Sequence, residues 1–262
     1  MCLILLAHRC RGDLPMLLLA NRDEYLGRAS APAAPWLEAP NVVGGRDLVA
    51  GGSWLAVAGD GRWAAVTNVR EGEQTRPGGP SRGWLVRDYL LAGETPENFI
   101  KRGARHFATY AGFNLLLGAL DEVWYVSNRE SAPARLAPGL YGLSNGRLDT
   151  PWPKVERGKA ALAGLLETPH PEIEQGFRLL ADRQTFPDHR LPDTGIPLAW
   201  ERFLSATFIV APEYGYGTRS STVLMCSAGG QLLMAERSFA GSPARWSQRS
   251  YRLPIATGHG KF

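Results

Sequence analysis

The sequence predicts an α+β layered domain, two mostly antiparallel sheets with helices packed on them, and three observations carry that expectation. Short apolar runs come in pairs around turn-forming residues, the mark of hairpins. The runs alternate with helix-like segments in the order strands, two helices, strands, two helices, strands. Thirty glycines and 19 prolines among 262 residues cut the chain into short elements.

Taken in order, residues 3–7 and 16–20 are apolar runs separated by the polar, turn-prone segment 9–15, and they predict a hairpin buried on both faces. Residues 31–40 are rich in Pro and Ala and read as a loop, while Gly44-Gly45 and Gly51-Gly52 read as turns. Residues 53–58 and 62–68 flank Gly59-Asp60-Gly61, the strongest hairpin signal in the chain. After a loop over 70–80, Ser81 can cap a helix that carries Trp84, Leu85, Tyr89 and Leu90 on one face. Thr95-Pro96 starts a second helix that continues through Phe99, Ile100, Ala104 and Phe107. Residues 113–120 and 123–127 form another hairpin, and 140–144 a short strand. Helices follow at 154–167 and 171–183, then a Pro-rich loop through Pro197. The chain closes with strands at 207–211, 218–226, 231–239 and 245–253, with a turn at Ala228-Gly229-Gly230. A single domain over residues 1–262 is expected.

Composition narrows the function classes. Twenty-nine Lys and Arg against 25 Asp and Glu leave a net charge of +4, and lysine occurs only at Lys101, Lys154, Lys159 and Lys261. The arginines are dispersed instead of clustered, which argues against a nucleic-acid partner. Three cysteines exclude a disulfide framework and a paired-CxxC zinc site, and fit a reducing compartment. The start MCLILLAHR lacks the charged lead of a signal peptide, and no run approaches the roughly 20 apolar residues of a membrane span. A cytoplasmic location is therefore expected.

Cys2 is the residue that composition leaves unexplained. Its small side chain permits removal of Met1, and an N-terminal cysteine carries its own base, because an α-amino group has a pKa of about 8. From position alone, a cysteine buried in an edge strand is the more ordinary reading. Other segments shift the balance. Asn21-Arg22-Asp23-Glu24 follows the strand that pairs with the one bearing Cys2. A carboxylate there can hold an ammonium, and an arginine can lower a thiol pKa or bind an anion. Thr67-Asn68 and Ser144-Asn145 end strands, where side-chain amides can stabilise an oxyanion. Arg219 precedes the hydroxyl cluster Ser220-Ser221-Thr222 and could hold a substrate carboxylate or orient the nucleophile.

Together with Gly51-Gly52-Ser53-Trp54-Leu55, Ser81-Arg82-Gly83, Phe113-Asn114-Leu115 and Gly217-Thr218-Arg219-Ser220-Ser221, these segments resemble the NRDE family, also called the transport and Golgi organisation protein 2 family. The segments occur in family order from residue 1 to about 239. One departure is Ala56, where the family often has glycine. The family in turn looks like the N-terminal nucleophile hydrolases of the cysteine type, such as bile salt hydrolase and penicillin V acylase, which implies a four-layer αββα fold. The resemblance places Cys2, Asp23, Asn68, Asn145 and Arg219 in catalytic positions and Arg22, Asn21 and Ser220 in substrate binding. Arg22 directly precedes Asp23, whereas the acylases have Arg-x-x-Asp.

The first functional expectation is an amidohydrolase or acyltransferase that attacks an amide or thioester of a small anionic or acyl substrate and needs no cofactor. The second is a carrier on the same fold for haem or for acyl-CoA and lipid, which the resemblance implies through proposed trafficking roles. His8, His106, His170, His189 and His259 are scattered, and no CxxCH motif is present for covalent haem. An interaction protein of the secretory system is the third. No metal constellation is expected.

Overall fold

Cys2–His8 (β1) reads as an unbroken apolar run because both of its faces are covered. Ile4 and Leu6 point into a core between two sheets, while Leu3 and Leu5 point into a core beneath helices. The computed structural model describes residues 2–72, 79–119, 121–240 and 244–255. Within them Met16–Tyr25 (β2), Ser30–Trp36 (β3), Ala39–Asp47 (β4), Leu55–Ala58 (β5) and Trp63–Asn68 (β6) precede the helices Gly83–Ala92 (α1) and Pro96–Gly103 (α2). Phe113–Gly118 (β7), Val123–Ser127 (β8), Ala134–Arg135 (β9) and Gly139–Leu143 (β10) come next. Pro153–Glu167 (α3), Ile173–Leu180 (α4) and Leu198–Leu204 (α5) lead to Val210–Ala211 (β11), Tyr216–Cys226 (β12), Gln231–Phe239 (β13) and Trp246–Pro254 (β14).

One sheet has the order β10-β1-β2-β12-β13-β14, with β11 beside β12, and the other runs β3-β4-β5-β6-β7-β8-β9. Every strand pairing among the described residues is antiparallel. Trp63, Leu18, Leu224 and Met234 fill the space between the sheets. Helices α1 and α2 cover the second sheet through Leu85, Val86, Tyr89, Phe99 and Ile100, and α3 and α4 cover the first through Val155, Leu162, Phe177 and Leu180. The result is the expected α/β/β/α stack. Among the described residues, no helix is long and apolar enough to cross a membrane.

Several local expectations need correcting. The segment 31–40 is not a loop but most of an edge strand and the start of its partner. Pro32 lies where the β3–β4 register slips, and Pro35 sits on an edge where a missing N–H costs no ladder bond. Gly44-Gly45 lie inside β4 and not in a turn: a Cβ at Gly44 would come within 2.4 Å of the Ala56 Cβ, and one at Gly45 within 2.1 Å of the Trp54 ring. Helix α1 starts at Gly83, and Ser81 contributes its carbonyl, not its hydroxyl, to the first turn. Thr95 does cap α2, its hydroxyl accepting the Asn98 N–H at 3.3 Å, but α2 stops at Gly103 and Phe107 falls in a separate 3-10 turn. The strand expected over 207–211 reduces to β11, and α5 occupies a stretch with no sequence signal. β1 is not an edge strand, since β10 and β2 flank it. The end of the expected strand at residue 120 lies outside the described residues.

Gly52 and Gly83 bring two backbones together at the rim of the Cys2 cavity. A Cβ on Gly52 would stand 2.4 Å from the Gly83 carbonyl carbon, and the Ser53 N–H donates to the Gly83 carbonyl at 3.1 Å. Gly52→Ala is expected to destabilise the protein by about 1–3 kcal/mol, as overpacking against backbone does, and urea unfolding of the variant measures it.

Candidate active site

The pairing of β1 with β2 sets Cys2 opposite Arg22 and Leu3 opposite Asn21. Cys2 is half-buried and opens on a cavity of about 810 Å³ whose walls include Arg22, Asp23, Asn68 and Arg82. Arg22 is buried with its guanidinium 4.2 Å from the centre of the Trp54 ring and 4.0 Å from the Glu24 carboxylate. Burial pushes the Cys2 thiol above its ordinary pKa, against the Asp23 backbone N–H and the Arg22 charge, which favour the thiolate. Burial thus favours the neutral thiol over the thiolate at this position. Any nucleophilic role for it requires a base at the moment of attack.

Asp23 is buried, and its Oδ1 accepts the Thr218 hydroxyl at 2.7 Å. Thr218 in turn accepts the Ile209 N–H at 2.8 Å, which fixes its hydroxyl toward the carboxylate. Burial raises the Asp23 pKa, and the strongest opposing influence is the ammonium of Lys154. Lys154, at the second position of α3, is 2% exposed and donates from Nζ to the Leu204 carbonyl at 2.8 Å. Burial, reinforced by Arg70, brings its pKa down to about 8, while Asp23, Cys2 and Glu201 favour its charged form. Arg70 and Glu201 form a buried ion pair close by, with Arg70 4.8 Å above the Trp152 ring and the Thr194 hydroxyl bonded to Glu201. A buried charge cluster therefore underlies the Cys2 end of the sheet.

Lys154, Arg70 and Glu201 lie outside every motif that the sequence offers as a candidate site. Lys154 does leave a trace: a lysine in the first turn of a helix opposes the helix dipole, and this one stands in a chain that otherwise prefers arginine. Arg70 and Glu201 leave none, because they are 131 residues apart and nothing local marks them as partners.

The two strand-end asparagines meet. Asn145 is fully buried, its Nδ2 donating to the Asn68 carbonyl at 2.8 Å, while its own carbonyl accepts the Arg70 N–H at 2.8 Å. The Thr67 hydroxyl donates to the Ser144 carbonyl at 2.6 Å, the Ser144 hydroxyl to the Cys2 carbonyl at 3.1 Å, and Asn114 Nδ2 to the Gly146 carbonyl at 2.8 Å. These polar bonds tie the end of β6 in one sheet to the end of β10 in the other, beside Cys2. Asn68 lines the cavity, whereas Asn145 stands behind it.

Three other candidates are placed differently. Asn21 spends its amide on the Leu180 and Thr207 carbonyls at 2.9 and 2.8 Å and accepts the Ser221 hydroxyl at 2.6 Å, joining β2 to β12 and the helical layer. Arg219 is the extra residue of a β-bulge between Thr218 and Ser220, and its Nη1 donates to the carbonyls of Tyr25, Leu26 and Arg28 at 3.0, 2.8 and 3.1 Å. It clamps the turn after β2. Ser220 pairs with Arg22 in register, and with Arg219 it lines a separate hollow. Among the described residues, no group of three or more His, Cys, Asp or Glu could hold a metal ion.

The stack of two antiparallel sheets between helical layers is the N-terminal-nucleophile hydrolase fold. Penicillin V acylase from Agrobacterium tumefaciens superposes with a TM-score of 0.52 at 11% identity, covering 95% of this chain and 90% of that one. The model of the family Transport and Golgi organisation 2 matches residues 1–241, and the chain belongs to this family. It is 33% identical over 262 residues to the Transport and Golgi organization protein 2 homolog of Bos taurus, and 30% identical over 261 residues to the Homo sapiens homolog. In both cases 92% of each chain is covered.

Proposed function

We propose that the chain is an N-terminal cysteine hydrolase acting on an amide or thioester, with Cys2 as nucleophile once Met1 is removed. The observation that carries this reading is the convergence on one thiol of an open cavity, a buried carboxylate and a strand-end amide: Cys2, Asp23 and Asn68 line the same 810 Å³ space. The shared fold supports it, and the chemistry is argued from the site alone.

In this reading the Cys2 thiol gives its proton to its own α-amino group as the sulfur bonds to the substrate carbonyl carbon. Asp23 holds the resulting ammonium, and Asn68 donates to the oxyanion while Asn145 fixes the Asn68 backbone. Collapse breaks the carbon–nitrogen or carbon–sulfur bond, and the ammonium proton passes to the leaving amine or thiol. Water, deprotonated by the free α-amine, then attacks the Cys2 thioester and releases the acid. Lys154 opposes the effect of burial and favours the carboxylate form of Asp23. Arg219 acts at one remove by fixing the turn that carries Tyr25 and Arg28, both on the cavity wall.

Intact mass spectrometry tests the premise and the chemistry together. The purified protein is expected to lack Met1 and, with a panel of N-acyl amides and acyl thioesters, to gain transiently the mass of one acyl group at Cys2. Retained Met1 on protein that turns over substrate would sink the mechanism.

A further inference from the structure

On the far side of Arg22 from the Cys2 cavity lies a hollow of about 250 Å³ between the β2–β12 pair and the start of β3. Two guanidinium groups, Arg22 and Arg219, share its wall with Ser30, Ser220 and Ser247, and Trp54 and Phe239 supply aromatic surface. Among the described residues, no Asp or Glu lines it.

Three features show that this hollow is set up for a ligand. Ser220 is 3% exposed, and among the described residues its hydroxyl has no hydrogen-bond partner. A buried hydroxyl without a partner costs about 1–3 kcal/mol, a cost a bound acceptor would offset. The Nε–H of Arg219 is buried and unpartnered in the same sense, and Arg219 forms no ion pair among the described residues. Arg22 reaches the Ser30 hydroxyl at 3.5 Å as acceptor, which leaves the serine's own hydrogen available. Two cations therefore face one small space, and the carboxylates that act on Arg22 are Glu24, at 4.0 Å and on the other cavity's wall, and the buried Glu236. Glu236 sits behind the hollow, accepting the Ala33 N–H at 2.7 Å and the Ser238 hydroxyl at 3.1 Å, and burial holds its carboxyl toward the neutral form.

The geometry points to an oxoanion-binding site here, built from Arg22, Arg219 and Ser220, that takes a phosphate or carboxylate group borne on an apolar or aromatic body lying against Phe239 and Trp54. Forked guanidinium donors match either oxoanion, and the aromatic wall accepts the body that carries it. The hollow shares Arg22 and Trp54 with the Cys2 cavity, but the assignment does not rest on the Cys2 chemistry.

Calorimetric titration with inorganic phosphate, phenyl phosphate and benzoate tests the assignment on wild-type and Cys2→Ala protein. Saturable one-to-one binding of phenyl phosphate or benzoate, tighter than inorganic phosphate and unchanged in Cys2→Ala, is expected. The stronger of the two organic anions identifies the preferred head group. Ser220→Ala is the discriminating variant. Since the hydroxyl has no partner among the described residues, its removal should leave the thermal midpoint level or raised while weakening the anion by about tenfold. Arg219→Gln should weaken it further, with some loss of stability from the three released carbonyls. Absence of saturable binding by all three anions overturns the site, as does binding that is equal in wild type, Ser220→Ala and Arg219→Gln.

Discussion

Replacing Cys2 by alanine is expected to lower kcat on any amide or thioester substrate by at least about 10⁴-fold, the scale seen when a covalent nucleophile is removed from a preorganised site. The fold should survive, because the half-buried thiol contributes little packing and its backbone bond to Ser144 is unaffected. Alanine at position 2 also still permits removal of Met1, so the variant isolates the sulfur. A chain with one glutamate inserted between Met1 and Cys2 isolates the amine, since it keeps the thiol but denies it a free terminus. If the α-amino group is the base, both variants fall together. If only the alanine variant falls, some other group takes the proton.

Replacing Lys154 by methionine is expected to destabilise the protein by about 3 kcal/mol at neutral pH, as breaking a buried pair on one side does. Methionine keeps the length and fills the space, and the loss comes from Asp23, left with its charge buried and its principal counter-charge gone. The pH sense follows. Without Lys154 the folded-state pKa of Asp23 rises further above its unfolded value. The native variant then binds more protons than the unfolded chain over a wider range, and its stability falls as pH rises through that range. The gap to wild type should therefore be small in acid and widen as pH passes the ordinary carboxylate range. The double variant Asp23→Asn/Lys154→Met should recover most of the loss. Urea unfolding at several pH values, with the double-mutant cycle, reads this coupling directly. Additive losses would show that Lys154 and Asp23 do not interact.

The sequence reading went furthest where structure is local. Gly59-Asp60-Gly61 turns β5 into β6, and Thr95-Pro96 starts α2 at the expected residue. The four-layer stack and the family were legible from motifs in order, and the meeting of Cys2 with Asp23 followed from one hairpin. What escaped is non-local or runs against local propensity. The Pro and Ala content of 31–40 hid β3, because an edge strand forgives missing donors. Gly44 and Gly45 were turn-like by composition, yet their need is for close approach to Ala56 and Trp54. The bulge that diverts Arg219 toward the carbonyls after β2 depends on register across 190 or more residues, which no spacing reveals.

That same long-range register governs when the site comes into being. Asp23 is held by Thr218, 195 residues later, and β1 stands between β10 and β2. During synthesis from the N-terminus the local β1–β2 hairpin can form early, but the flank made by β10 waits for residues 139–143 and the Thr218 bond to Asp23 waits for most of the chain. Only a nearly finished chain gives Asp23 its Thr218 partner, so the carboxylate beside Cys2 is the last part of the site to be set.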